Sequence, residues 1–103
     1  MITGPIRPFT IAIPQSQLDD LKARLALTRF PEKEIVADWD QGIPLGYVQE
    51  VAAYWADGYD WRVCEAKLNA YPQFLIEIDG LDIHFLHIRS ANPDARPDRK
   101  SVV

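Results

Sequence analysis

Gln73-Phe74-Leu75-Ile76-Glu77-Ile78-Asp79-Gly80-Leu81-Asp82-Ile83-His84-Phe85-Leu86-His87-Ile88 is the stretch that decides the fold. Two apolar runs flank Asp79-Gly80, the dipeptide that suits a two-residue turn with both central residues at positive φ. Such a turn sets the register of the strands it joins. Ile78 then faces Leu81, Ile76 faces Ile83 and Phe74 faces Phe85 on one side of the hairpin. Glu77 faces Asp82, Leu75 faces His84 and Gln73 faces Leu86 on the other. Opposed carboxylates repel, so the turn end is expected in solvent. The far end carries apolar groups on both faces, the pattern of a sheet that continues beyond a lone hairpin.

Upstream of the hairpin the chain reads as helices. Pro72 stops a helix that Asp60 caps and that runs to about Tyr71, with Trp61, Cys64, Leu68 and Tyr71 recurring at helical spacing. Before it, a helix is expected from about Pro44 to Asp57. Tyr47, Val48, Val51, Tyr54 and Trp55 form its apolar stripe, and Gly58 stands in the position past the end. Residues 31–44 make a loop holding Asp38-Trp39-Asp40. The first helix carries Leu18, Leu21 and Leu25. Ser16 is its expected N-cap, with Asp19 three residues on and Asp20 beside it, near the positive end of the dipole. It ends before Phe30-Pro31. Residues 9–13 alternate between Pro8 and Pro14 and read as a short edge strand or extended arm. The fold class is therefore α+β: three helices, a short N-terminal extended strand and a C-terminal antiparallel hairpin. One domain is expected over residues 1–97, with the helical part at 15–72 and the hairpin at 73–88. Residues 98–103 read as a polar tail.

Composition narrows the partners. The chain has 103 residues, 48% of them hydrophobic and 25% charged, with a net charge of −4. An acidic chain has no field to draw in phosphate backbones, so nucleic acid is excluded as the expected partner. No apolar run approaches the ~20 residues of a membrane span, and residues 1–5 do not open a signal peptide. A single cysteine permits no internal disulfide and fits a reducing cytoplasm.

The residues that carry chemistry do not converge. His84 and His87, three apart on one strand, point to opposite faces and cannot share a metal. Cys64 lies on an apolar stripe, where cysteine is a small core residue. Asp19 and Asp20 belong to a helix start, and Asp38 and Asp40 to a solvated loop. No nucleophile elbow, phosphate loop, dinucleotide fingerprint or zinc-protease motif is present. No catalytic, cofactor or metal residue is assigned. The aromatic residues stand out: Trp39, Trp55, Trp61, Phe74 and Phe85 are the candidate docking surface, because a core this small cannot cover all of them.

Taken in order, several segments resemble one family. They are Pro8-Phe9-Thr10-Ile11-Ala12-Ile13-Pro14, Leu18-Asp19-Asp20-Leu21-Lys22-Ala23-Arg24-Leu25 and Thr28-Arg29-Phe30-Pro31. Trp39, Gly42, Leu45, Tyr54-Trp55, Asp60-Trp61-Arg62 and Leu68-Asn69 follow. Tyr71-Pro72-Gln73-Phe74 and Ile78-Asp79-Gly80-Leu81-Asp82-Ile83-His84-Phe85 are the most specific. Together they look like the N-terminal domain of microsomal-type epoxide hydrolases, over about residues 8–97. The resemblance implies a domain that precedes and wraps an α/β-hydrolase domain, with residues 73–88 as the first two strands of its sheet. It implies chemistry by an aspartate nucleophile that opens the epoxide to an ester, a histidine–acid pair that activates water, and tyrosines that polarise the epoxide oxygen. Those groups belong to the following domain. After Pro97 the family continues with an apolar strand and a His-Gly-Trp-Pro segment, whereas this chain reads Asp98-Arg99-Lys100-Ser101-Val102-Val103.

The resemblance makes the expected role structural, that of a truncated product or fragment without its catalytic domain and inactive alone. The expected partners are an α/β-hydrolase catalytic domain or another copy of the chain. A stand-alone module that homodimerises by strand pairing or swapping is the alternative, and a small-ligand binder built on the aromatic cluster is a third.

Overall fold

In the computed structural model, residues 4–97 are described. The elements run in order β1 (Arg7–Pro8), α1 (Gln15–Ala26), α2 (Leu45–Ala53), a π-helical turn (Tyr54–Gly58), α3 (Trp61–Asn69), β2 (Gln73–Ile78) and β3 (Leu81–Leu86). Three helices and a three-stranded antiparallel sheet of order β1-β2-β3 make the fold α+β. The chain divides into two units: Met1–Ile11 with Lys67–Val103, and Ala12–Ala66. The expected tail at residues 98–103 lies outside the described residues.

The sheet unit follows the hairpin pattern residue for residue. All six expected pairs form, from Gln73 opposite Leu86 to Ile78 opposite Leu81. Asp79 (φ 51°) and Gly80 (φ 81°) make the turn, both in the left-handed region that the dipeptide tolerates. The second strand is shorter than expected, ending at Leu86 and not at Ile88. Proline explains it: Pro72 has no N–H to extend the ladder, so His87 N–H donates to the Pro72 carbonyl (3.1 Å) and pairing stops. β1 pairs antiparallel with β2, Arg7 opposite Leu75 and Pro8 opposite Phe74. The arm is therefore an edge element, as its prolines demand, but its strand lies at Arg7–Pro8 and not at residues 9–13. Phe9 N–H gives one more bond to the Gln73 carbonyl (2.8 Å). Beyond it the backbone finds side-chain partners. Asn69 holds Ile11 on both sides, accepting from its N–H (2.9 Å) and donating to its C=O (2.8 Å). Arg7 is ion-paired with Asp82 across the sheet, which offsets the repulsion between Asp82 and Glu77.

The helical unit departs from expectation mainly at its ends. α1 begins at Gln15, with Pro14 before it and no side-chain cap. Ser16 is thus inside the helix and is not its cap. Proline's fixed φ already pre-forms the entry there. Asp19 and Asp20 fall in the second turn, where Asp19 accepts from Gln15 Nε2 (3.0 Å) and Asp20 from Arg24 Nε (2.9 Å), each four residues away. α2 starts after Pro44 as expected, but its last turn is π-helical, closed by Tyr59 N–H to the Tyr54 carbonyl (2.8 Å). Gly58 is not left-handed. It is small because a Cβ there would sit 2.7 Å from the Tyr54 ring. Asp60 caps the start of α3 through the Arg62 N–H (2.9 Å).

The described residues contain no buried hydrophobic side chain. The stripes of α1 and α3 are half-buried at Leu18, Leu21, Leu25, Trp61 and Cys64. The apolar stripe of α2 and its π turn is mostly uncovered: Val48 is half-buried, but Tyr47, Val51, Tyr54 and Trp55 are all exposed. Among the described residues Gln73 is the one that is buried, 5% exposed.

Candidate docking surface

Two polar residues organise the two units, and neither was singled out by the sequence pattern alone. In the sheet unit it is Gln73. Its amide Nε2 donates to the Leu68 carbonyl (2.8 Å) and more distantly to Asn69 Oδ1 (3.4 Å). Its oxygen accepts from His84 Nε2 (2.8 Å). A buried amide is tolerated when its donors and acceptor are met, and here they are. His84 also packs edge-on against the Phe9 ring, centroids 5.1 Å apart. The histidine is thereby a structural partner of the sheet.

In the helical unit the organiser is Glu65, whose side chain is 12% exposed. Oε2 accepts from the Ile13 N–H (2.9 Å) and from the Trp61 indole N–H (3.1 Å). Oε1 accepts from Arg62 Nη1 (2.7 Å), and Arg62 Nη2 donates to the Ile13 carbonyl (2.8 Å). The Ile13 N–H, then the Arg62 guanidinium, hold the carboxyl below its usual range. Glu34 acts likewise at the start of α2. Its Oε2 accepts from the Leu45 N–H (2.8 Å), and this bond holds its carboxyl down as well. A carboxylate from a distant loop thus meets an N–H that the helix leaves orphaned. No short-range capping rule could find it, because eleven residues separate the partners.

The candidate aromatics fall into separate groups. Trp55 and Trp61 line one open groove of about 450 Å³ with Leu18, Leu21, Val51, Tyr54 and Tyr59. The groove wall is almost wholly apolar. Tyr59 is tied back by a hydrogen bond between its hydroxyl and the Cys64 side chain, which raises the phenol above its ordinary value. Cys64 is therefore occupied within the unit. Trp39 is not part of this groove. It stacks edge-on with Tyr47, centroids 5.3 Å apart, and is 57% exposed. Phe74 and Phe85 pair across the sheet at 5.6 Å and are half-buried. Beside them β3 is last in the strand order, and its outer edge is unpaired among the described residues. Leu81, Ile83 and Leu86 along it are exposed.

This arrangement is a scaffold with uncovered apolar faces. A family model for the epoxide hydrolase N terminus matches residues 6–97. A protein of Stigmatella aurantiaca (strain DW4/3-1) named as an epoxide hydrolase is 54% identical over 92 residues, which span 89% of this chain and 21% of the relative. Juvenile hormone epoxide hydrolase 2 of Ctenocephalides felis is 38% identical over 88 residues, 85% of this chain and 19% of the relative. The solved structure of Aspergillus niger epoxide hydrolase matches with a TM-score of 0.79 at 38% identity, over 91% of this chain and 25% of that one. The chain belongs to the epoxide hydrolase N-terminus family. It spans about a fifth of the length of the curated relatives it matches. No helix among its described residues is long and apolar enough to cross a membrane.

Proposed function

We propose that this chain is a non-catalytic cover domain, which docks on an α/β-hydrolase catalytic domain and holds it in place. The domain is taken as residues 1–97, with its helical part at 15–72 and its hairpin at 73–88. The reaction it serves is that of the family, epoxide and water to a vicinal diol through a covalent aspartyl ester, on groups that the partner domain supplies. The observation that carries this reading is the pairing of a well-bonded polar scaffold with no buried hydrophobic side chain among the described residues. Apolar area left in water contributes nothing to stability, whereas covering it gains roughly 25 cal/mol per Å². The proposed docking residues are Trp39, Trp55 and Trp61 in the helical unit, and Phe74 and Phe85 with the open edge of β3 in the sheet unit. A cytoplasmic location accompanies this reading, resting on the lone unpaired cysteine.

The test is reconstitution. A relative's catalytic domain made without its N-terminal fifth is mixed with this chain, and complex mass and styrene oxide turnover are followed. A one-to-one complex with increased turnover is expected, and the chain alone is expected to be inert. Turnover by the chain alone that disappears in His84→Ala or Asp82→Ala sinks the reading. The open β3 edge favours a second reading, a stand-alone module that homodimerises edge to edge. Its mark is a dimer that Ile83→Lys, a charge on that strand, abolishes.

A further inference from the structure

The dipeptide Asp-Gly occurs twice in this chain, at Asp57-Gly58 and at Asp79-Gly80. It is the pair most open to one backbone rearrangement, because glycine sets no side chain in the path of its own nitrogen. That nitrogen attacks the aspartate Cγ. A C–N bond forms, the Cγ–OH bond breaks, and the hydroxyl leaves as water with the amide proton. Water then opens the five-membered imide. Cleavage at the side-chain carbonyl restores aspartate. Cleavage at the main-chain carbonyl leaves isoaspartate, whose backbone runs through Cγ and is one carbon longer. No atom is gained or lost overall. All four residues are exposed, so water reaches both places. What differs is the backbone that must rotate to bring Cγ onto the next nitrogen.

We propose that Asp79 is a modification site, converting spontaneously to isoaspartate and unseating the hairpin, while Asp57 with the same neighbour is protected by its fold. Asp79 and Gly80 lie between the strands, which end at Ile78 and resume at Leu81. Asp79 is held at φ 51°, a region that costs any residue with a Cβ, so rotation there starts from strain and relieves it. The space around Gly80 is open, with nothing within 4 Å of where a Cβ would stand. Asp57 and Gly58 instead lie inside the π-helical turn Tyr54–Gly58. Rotation there opens a turn closed by the Tyr59 N–H on the Tyr54 carbonyl (2.8 Å), and the Tyr54 ring packs directly over Gly58. Opening a packed helical turn is rarer than opening an exposed loop tip. The consequence is confined to the sheet unit. A two-residue turn sets the hairpin register, and an added backbone carbon no longer fits it. The pairs nearest the turn, Ile78 with Leu81 and Glu77 with Asp82, part first, and the Arg7–Asp82 ion pair goes with them. This inference does not depend on docking to a catalytic domain.

Prolonged warm incubation of the full chain tests it, once in native buffer and once unfolded in urea. Peptide mapping with electron-transfer fragmentation, which separates isoaspartate from aspartate, reads both sites in the same molecules. In native buffer about tenfold more isoaspartate is expected at position 79 than at position 57. In urea the two are expected to accumulate alike, because the dipeptide is the same. A native ratio of one or less overturns the proposal. So does a preference for position 79 that persists in urea, since the fold would then have no part in it, and so does a native Asp79 that stays unchanged while the unfolded chain reacts. Amide exchange reads the consequence: the aged chain is expected to lose protection in β2 and β3 and to keep it in α1 and α3. Asp79→Glu retains the charge but lengthens the side chain beyond a five-membered closure, and its hairpin is expected to keep its protection through the same incubation. Equal loss in parent and variant overturns the proposed effect on the hairpin. Should the variant fail to fold, the ratio between the two sites in the parent decides.

Discussion

Residues 4–11 and 67–97 pair their backbone strand to strand, around a neutral amide. Residues 12–66 rely on carboxylates: Glu65 receives the Ile13 N–H, and Glu34 receives the Leu45 N–H. Both units are stitched mainly through polar groups, and neither has a filled apolar centre. They differ in what can break them. Gln73 does not titrate, so the sheet unit depends on shape and on satisfied hydrogen bonds. Glu34 and Glu65 do titrate, so the helical unit depends on charge.

The sharpest way to break the sheet unit alone is Gln73→Leu. Leucine fills similar space but leaves the Leu68 carbonyl and the His84 ring without their partner. An unsatisfied buried group costs about 1–3 kcal/mol, and a loss of about 2 kcal/mol is expected, chiefly from the Leu68 carbonyl, because His84 is exposed and water can replace its bond. Urea unfolding measures the total. Amide exchange locates it, with protection falling in β2 and β3 before α1 or α2. Uniform loss along the chain would erase the distinction between the units.

Acid is the complementary perturbation. Both glutamates are held below the usual carboxylate range by backbone N–H donors, and Glu65 also by Arg62. Their unfolded-state values are the ordinary ones, so their stabilisation is complete above those values. It is lost as the pH falls through the depressed folded values. Helical amides of residues 12–66 are therefore expected to lose protection at a higher pH than the hairpin amides. Glu65→Gln moves this behaviour to neutral pH, because an amide oxygen accepts more weakly than a carboxylate. Coincident acid transitions in the two units would contradict the assignment of charge to one of them.

How much of this was legible follows the same division. The hairpin could be read to the residue because a two-residue Asp-Gly turn leaves one register free of conflict, and alternation then places every side chain. Helix existence was equally legible from the leucine and aromatic spacing. Helix ends were not. Ser16 is a better cap by type than Pro14, but proline pre-forms the entry and starts the helix two residues earlier. Gly58 fits a left-handed C′ by type, but the aromatic ring of Tyr54 claims that space in a π turn. The arm was legible as extended and wrongly placed as a strand, because alternation cannot tell whether backbone partners come from a strand or from Asn69 and Glu65. Those partners lie 58 and 52 residues away, outside any local rule. Asn69, Arg62 and Gln73 nevertheless stand among the residues that carried the family resemblance, so their signal was present without its physical reason.

Glycine substitutions sharpen the comparison at a smaller scale. Gly80→Ala places a side chain at φ 81°, and the left-handed region costs a residue with a Cβ roughly 1–2 kcal/mol. Gly46→Ala does the opposite. It lies inside α2 with nothing within 4 Å of the added carbon, so a gain of about 0.5 kcal/mol is expected. Thermal unfolding of the two variants should shift in opposite directions.

The smallest effect belongs to Arg7 and Asp82, and its sign is informative. Both side chains are about half exposed, so the pair itself is worth roughly 0–1 kcal/mol and weakens with salt. Asp82 also faces Glu77 across the hairpin. Arg7→Gln removes the attraction and leaves the repulsion, so a loss of a few tenths of a kcal/mol is expected at low salt. Asp82→Asn removes both, and should be close to neutral. The double variant should then match Asp82→Asn alone, because arginine has nothing left to offset. If Asp82→Asn is instead as costly as Arg7→Gln, the cross-strand repulsion is negligible, and the Arg7–Asp82 attraction holds the sheet unit without an offset. The contrast with the carboxylate-held helical unit would then be weaker than the neutral Gln73 amide suggests.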